Sequence, residues 1–202
     1  HRVDRRQRQM CIRDRDNDAE GIKVMSEGLL SCGVTSFLPT TLTSSKERLK
    51  DVAETIGKMY QEAPGAKIKG IYFEGPFFTE EHKGAQNPSY FGDPDLDTFH
   101  EWQEASGGLI KKIALAPERQ GVEEFVKQVT EEGVVVSLGH SNATLEEAQK
   151  AVEAGASVFV HAFNGMRGLN HREPGMVGAL LSLEHVFSEL ICDGHHLSLI
   201  HI

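Results

Sequence analysis

The sequence predicts an α/β fold, an incomplete TIM-like (β/α)8 barrel with about six β/α units present. Three observations predict it. Short β-branched runs alternate with helical stretches, the junctions are short turns punctuated by Gly or Pro, and four of the runs end in ionisable residues. Such alternation argues for parallel βαβ units over a sandwich. A closed eight-stranded barrel needs ~250 residues, whereas this chain has 202. A doubly wound open sheet and a partial barrel therefore both remain until the strand ends are considered.

The elements follow in order. Residues 1–15 crowd together Arg2, Arg5, Arg6, Arg8, Arg13 and Arg15 without periodicity. A basic arm for nucleic acid is one reading, and an arm of no such role is the other. The stretch Gln9 to Arg15 and the ending Leu197 to Ile202 look like translated adapter sequence, so residues 1–15 and 197–202 are set apart as non-native ends and 16–196 taken as the barrel segment. Asp18 caps a helix with Ile22, Met25, Leu29 and Leu30 on one face, and Gly33 stops it. Val34 to Leu38 is a strand that Pro39 ends. Ser44-Ser45-Lys46-Glu47 is a capping box opening a helix to about Gln61, and Ile68 to Phe73 is a buried strand. Asp95 to Ala105 is helical, Ile110 to Ala116 strand, Val122 to Glu132 helix and Val134 to Leu138 strand. Thr144-Leu145-Glu146-Glu147 caps a helix that Gly155 ends, and Ser157 to Val160 is the next strand. Met176 to Leu183 is helical and Val186 to Cys192 extended.

Composition narrows the class. With 39% hydrophobic and 25% charged side chains the chain reads as one soluble globular unit. No apolar run approaches the ~18 residues of a membrane span, and no secretory leader is present. Cys11, Cys32 and Cys192 are odd in number and widely spaced, which fits reduced thiols in a cytoplasm. A net charge of -9 disfavours nucleic acid and anionic membrane as partners. Trp102 reads as core packing, Cys32 and Cys192 as small buried hydrophobes, and His82, His100 and His185 as solvated side chains.

The strand ends carry the chemistry. Glu74 follows the Ile68 to Phe73 run, His140 follows Gly139 after Leu138, His161 follows Val160, and Asp193 to His196 follow Cys192. In a parallel barrel all such ends share one rim, so they converge on one pocket, and this favours the barrel. One carboxylate and two imidazoles complete a catalytic zinc site that leaves its fourth position to water. Each has a bland alternative. A lone strand-ending His is more often a hydrogen-bonded structural residue, and Glu74 before Gly75-Pro76 could be a turn carboxylate taking backbone N–H bonds.

Seven strings, in order, resemble the N-acetylglucosamine-6-phosphate deacetylase family of the amidohydrolase superfamily. They are Glu74-Gly75-Pro76-Phe77, Lys83 to Pro88, Ala116-Pro117-Glu118, Gly139 to Ala143, His161 to Met166, Arg172-Glu173-Pro174-Gly175 and Asp193-Gly194-His195-His196. The likeness runs from about Asp16 to His196. It implies a metal-dependent hydrolase barrel with Glu74, His140 and His161 as ligands of one or two divalent ions, zinc first among them. It also implies that Ala85, Gln86, Asn164, Gly165, Arg172 and His196 surround an amino-sugar 6-phosphate. By the same resemblance Arg172 and His196 reach the site of a neighbouring subunit, so the full-length enzyme is a homodimer. The family's H-x-H strand and its T-D-A-like strand, whose aspartate serves as general acid and base, have no counterpart here, so the chain alone is expected to be inactive. Gln86 stands where some members have His, which leaves the metal count open. Two rivals remain: a deaminase or dihydroorotase-like amidohydrolase, which lacks the Arg172 to Gly175 segment, and a non-catalytic piece of barrel with open edges.

Overall fold

The computed structural model describes residues 19–197, so the Arg-rich stretch, the Asp18 cap and residues 198–202 lie outside the described residues. The described residues form two compact units, residues 19–74 with 95–112, and residues 75–94 with 113–197. Among the described residues no helix is long and apolar enough to cross a membrane.

The first unit contains α1 (Ala19–Ser31), β1 (Ser36–Phe37), β2 (Thr40–Thr41), α2 (Lys46–Met59), β3 (Lys67–Ile68), β4 (Ile71–Glu74) and α3 (Leu96–Ala105). Its pairings are parallel, with Ser36 opposite Lys67 and Thr40 opposite Tyr72. The strands differ from the sequence expectation. Pro39 does not end the first run but sits between two short strands, where its carbonyl accepts the Tyr72 N–H at 3.0 Å. Proline lacks only the donor, so it can serve a ladder through its oxygen. The Ile68 to Phe73 run divides at Gly70, whose φ is 149° and where a Cβ would meet Lys111 Cγ at 2.3 Å. The chain bends there because only glycine permits both the angle and the approach.

Helix α2 begins one residue later than its signature suggests. Ser45 caps it, accepting from Arg48 N–H at 3.2 Å. The reciprocal arm of a capping box needs Glu or Gln at position 48, and Arg48 cannot supply it. Leu49, Val52, Ala53 and Ile56 form the buried stripe of α2 at helical spacing. Gly57 lets the helix approach the chain after α3, since a Cβ there would lie 2.9 Å from the Ser106 carbonyl. Trp102 is buried, packs its ring tilted at 45° with its centroid 5.2 Å from that of Phe73, and donates its indole N–H to the Lys46 carbonyl at 3.0 Å. Side chains of this size contribute about 1.5–3 kcal/mol each when fully buried.

Strand β5 (Ile110–Leu115) begins in the first unit, where Ile71 N–H donates to Leu109 O at 2.7 Å, and ends in the second, where Gly139 N–H donates to Leu115 O at 3.2 Å. The second unit continues with α4 (Val122–Glu131), β6 (Val135–Leu138), α5 (Leu145–Glu153), β7 (Val158–Phe159), α6 (Gly175–Ser182) and β8 (Phe187–Ser188). Strands β6, β7 and β8 are parallel neighbours, Ser137 facing Val158 and Val158 facing Phe187. Only Phe187 and Ser188 of the expected Val186 to Cys192 run pair. Helix α5 has both arms of its capping box, Thr144 Oγ1 accepting Glu147 N–H at 3.2 Å and Glu147 Oε2 accepting Thr144 N–H at 2.8 Å. Two expectations about cysteine are corrected: Cys32 and Cys192 are exposed, because both lie in irregular segments beyond the elements they follow.

Candidate metal centre

Two histidines of the second unit meet at the ends of β6 and β7. His140 Nε2 and His161 Nε2 stand 3.1 Å apart, with the rings edge to face at 73°. Each ring is fixed from behind. His140 Nδ1 lies 2.9 Å from the His82 carbonyl, and His161 Nδ1 lies 2.9 Å from the Asn164 carbonyl. A carbonyl can only accept, so both Nδ1 atoms carry hydrogen, and in the neutral rings each Nε2 is the acceptor nitrogen. Two lone pairs at that distance repel unless a proton or a cation lies between them. Two imidazole nitrogens bound at ~2.0–2.1 Å to one tetrahedral zinc stand about 3.3 Å apart, so the observed pair fits a shared divalent ion. Backbone carbonyls holding the far nitrogens are the usual orienting arrangement of metal-bound imidazole.

The local chain is shaped around these rings. His140 and His161 have φ of 47° and 34°, and Phe163 has 72°, a conformation that side chains rarely take. Such residues cost of order 1–3 kcal/mol each and cluster where function holds them. Gly139 admits Val160, whose Cγ2 would meet a Cβ at 2.3 Å, and Gly165 passes 3.2 Å from His140 Nδ1 measured from the same hypothetical atom. Phe78, fully buried, packs its ring 4.6 Å from that of His140. His140 is buried and His161 half-buried.

The other expected residues are placed as follows. Glu74 is half-buried and is the last residue of β4, in the first unit. Gln86 is buried in the loop after the 310 turn at Glu80–His82, and its neighbour Ala85 is exposed. Asn164 and Gly165, three and four residues after His161, are half-buried. Arg172 is exposed; the neighbouring Glu173 carboxylate does not await it but accepts the N–H groups of Gly175 and Leu145, which hold its pKa below the ordinary value. His196 is exposed and pairs its Nδ1 with Asp193 at 2.8 Å. The backbone N–H groups of His196 and His195, with the His196 ring, hold the Asp193 carboxyl far below the usual carboxylate range.

Sequence reasoning missed two contributors. His82 is half-buried, not solvated, and acts through its carbonyl on His140 while its Nε2 lies 3.3 Å from Asn142 Oδ1. A backbone acceptor leaves no trace in residue type. Glu118 accepts both the Ser141 hydroxyl and the Asn142 N–H at 2.7 Å. Its string Ala116-Pro117-Glu118 was visible, but not that partner.

No protein-family model matches the chain. It is 39% identical over 182 residues to an N-acetylglucosamine-6-phosphate deacetylase of Vibrio furnissii, covering 90% of this chain and 46% of that protein. It is 41% identical over 165 residues to an N-acetylgalactosamine-6-phosphate deacetylase of Escherichia coli O157:H7, covering 81% and 44%. The structure matches that of a Mycobacterium smegmatis N-acetyl-D-glucosamine-6-phosphate deacetylase, an Asp-to-Ala variant in complex with N-acetyl-D-glucosamine 6-phosphate, with a TM-score of 0.77 at 32% identity, over 81% of this chain and 42% of that one. The chain is thus similar along most of its length to sugar-phosphate deacetylases, shares their parallel β/α fold, and spans under half the length of the relatives it matches.

Proposed function

We propose that this chain supplies the metal-binding and sugar-phosphate-binding part of an amidohydrolase that cleaves the acetamido group of N-acetyl-D-glucosamine 6-phosphate, giving D-glucosamine 6-phosphate and acetate. The observation that carries this reading is the facing pair of Nε2 atoms on His140 and His161, 3.1 Å apart, each ring locked by a carbonyl. Glu74, the strand-ending carboxylate of the sequence, is taken as the third donor, since one carboxylate and two imidazoles suit a divalent ion, zinc being the natural choice for that set. When bound, such an ion lowers the pKa of its water toward ~7 and supplies hydroxide at neutral pH.

The chain's own residues do the rest of the binding. Asn164 and Gly165 lie on the turn three and four residues after His161, so the sugar sits beside the histidine pair, with Ala85 and Gln86 on the loop after His82. Arg172 binds the 6-phosphate through parallel N–H donors, a charge-assisted contact worth about 1.5–3 kcal/mol per bond. The exposure of Arg172 and His196 suits a role in a neighbouring subunit's site, and with it a homodimer. A cytoplasmic setting accords with the exposed thiols of Cys32 and Cys192, which a reducing compartment preserves. No aspartate of these 202 residues is assigned as general acid or base.

The galacto epimer is a second reading, favoured by the relative that is 41% identical. Both are tested in a full-length protein carrying this chain, by acetate release from each 6-phosphate and from unphosphorylated N-acetylglucosamine. The gluco 6-phosphate is expected to have the highest kcat/KM. Arg172→Ala is expected to raise KM for the phosphorylated sugar, leave metal content unchanged and hardly alter turnover of the unphosphorylated one. An Arg172→Ala enzyme with its full preference for the phosphorylated sugar would remove the phosphate assignment.

A further inference from the structure

We infer that Glu118 is the positioning residue of this centre: it clamps the turn after His140 and so aims the His140 Nε2 at the metal position. The inference rests on the metal reading above but concerns a residue that reading leaves without a role.

Glu118 lies three residues beyond the end of β5, and its two carboxylate oxygens are used separately. Oε2 accepts the Ser141 hydroxyl at 2.7 Å, and Oε1 accepts the Asn142 N–H at 2.7 Å. Ser141 Oγ in turn accepts the Ala143 N–H at 3.0 Å, so its single hydrogen is committed to Glu118. Ser141 is fully buried. Short bonds to an ionised carboxylate are about twice as strong as neutral ones, and both of these fall on the two residues that directly follow His140.

That turn needs holding. His140 has φ of 47°, and an uncompensated residue there relaxes toward negative φ, swinging its side chain. A second connection closes a ring of bonds around it. Asn142 Oδ1 can only accept, so His82 Nε2 donates to it, while the His82 carbonyl takes the His140 Nδ1–H. His140 is thus tied through His82 to Asn142, the backbone from 140 to 142 closes the loop, and Glu118 braces it at Ser141 and Asn142. Removing the carboxylate frees Ser141 and Asn142 together, and through Asn142 it loosens the His82 carbonyl that orients the ring.

Glu118 touches neither ligand atom, so its effect is read on His140. Two measurements on the 202-residue chain test it: Co2+ affinity by visible absorption, and solvent exchange of the His140 Nδ1–H by 15N-resolved NMR without metal. Glu118→Ala is expected to weaken Co2+ binding by about 10–100-fold, the usual effect of losing an orienting partner, and to accelerate exchange of that proton. Glu118→Gln keeps the amide oxygen for Asn142 N–H and turns its NH2 toward Ser141 Oγ, so it should lose less and restore part of the protection. Thr144→Ala serves as control, since it weakens the same segment through the α5 cap without touching Ser141 or Asn142. Its Co2+ affinity is expected within about twofold of the parent. If the parent binds no Co2+ but the Glu118→Ala proton exchanges faster, the metal reading falls and the positioning role stands. If Glu118→Ala folds with an unaltered proton, or weakens Co2+ no more than Thr144→Ala does, the role of Glu118 is overturned.

Discussion

Gly165 passes the facing histidines with φ of 57°, and a Cβ there would lie 3.2 Å from His140 Nδ1 and 3.4 Å from His161 Cε1. Gly165→Ala therefore meets backbone strain of about 1–2 kcal/mol and pushes on both rings. Thermal unfolding should fall by the strain alone, whereas metal affinity should fall further; equal affinity in the two proteins would show that the rings have room to spare. Asp193 gives a pH dependence. Its folded-state pKa is depressed, chiefly by the His196 and His195 backbone N–H groups, so its contribution is present above the unfolded value and is lost as pH falls through the acid range. The Asp193 carboxyl, followed by NMR, should stay ionised at pH values where an ordinary aspartate has protonated, and titration at the ordinary value would contradict the hydrogen bonds assigned to it. At this scale the facing histidines were legible because a strand-ending histidine is visible as residue type plus position. His82 was not, since it works through a carbonyl that every residue owns. The cysteines were misjudged because small apolar size says nothing about which face of a turn they occupy.

Helices were the most legible elements, since caps and spacing name their own ends. Asp95, Thr144 and Gly155 act where the sequence placed them. Ser44 does not, and the difference is measurable. Ser45→Ala should destabilise by about 1 kcal/mol in denaturant unfolding, and Ser44→Ala by less than about half of that. The reverse order would restore the capping box that the structure lacks. Between α2 and α3, Gly57→Ala sets a Cβ 2.9 Å from the Ser106 carbonyl, a backbone atom that cannot rotate away. A loss of about 1–3 kcal/mol is expected from such overpacking, although alanine is the better helix former. Strands were less legible than helices. Runs of two paired residues, as in β1, β2 and β3, are below the length at which alternation can be recognised, and the break at Gly70 depends on Lys111, a neighbour that is remote in sequence.

For the molecule as a whole, the alternation of strand and helix announced parallel pairing, and every strand pair described is parallel. What the sequence could not show is which strand lies beside which, because pairing depends on contacts between distant segments. The seven ordered strings carried more, since their order belongs to the chain as a whole, and the similarity to deacetylases covers 90% of it in the Vibrio furnissii comparison. The acidic balance of -9 also acts at this scale, adding a background attraction for cations that is not specific to the centre. That background makes stoichiometry and side-chain dependence the decisive quantities. The most direct measurement is a Zn2+ or Co2+ titration of the chain beside its His140→Ala and His161→Ala variants, at an ionic strength high enough to screen surface binding. About one tight equivalent is expected for the parent and none at that site for either variant, with both variants still folded. Unchanged occupancy in the folded His161→Ala protein would contradict the metal centre.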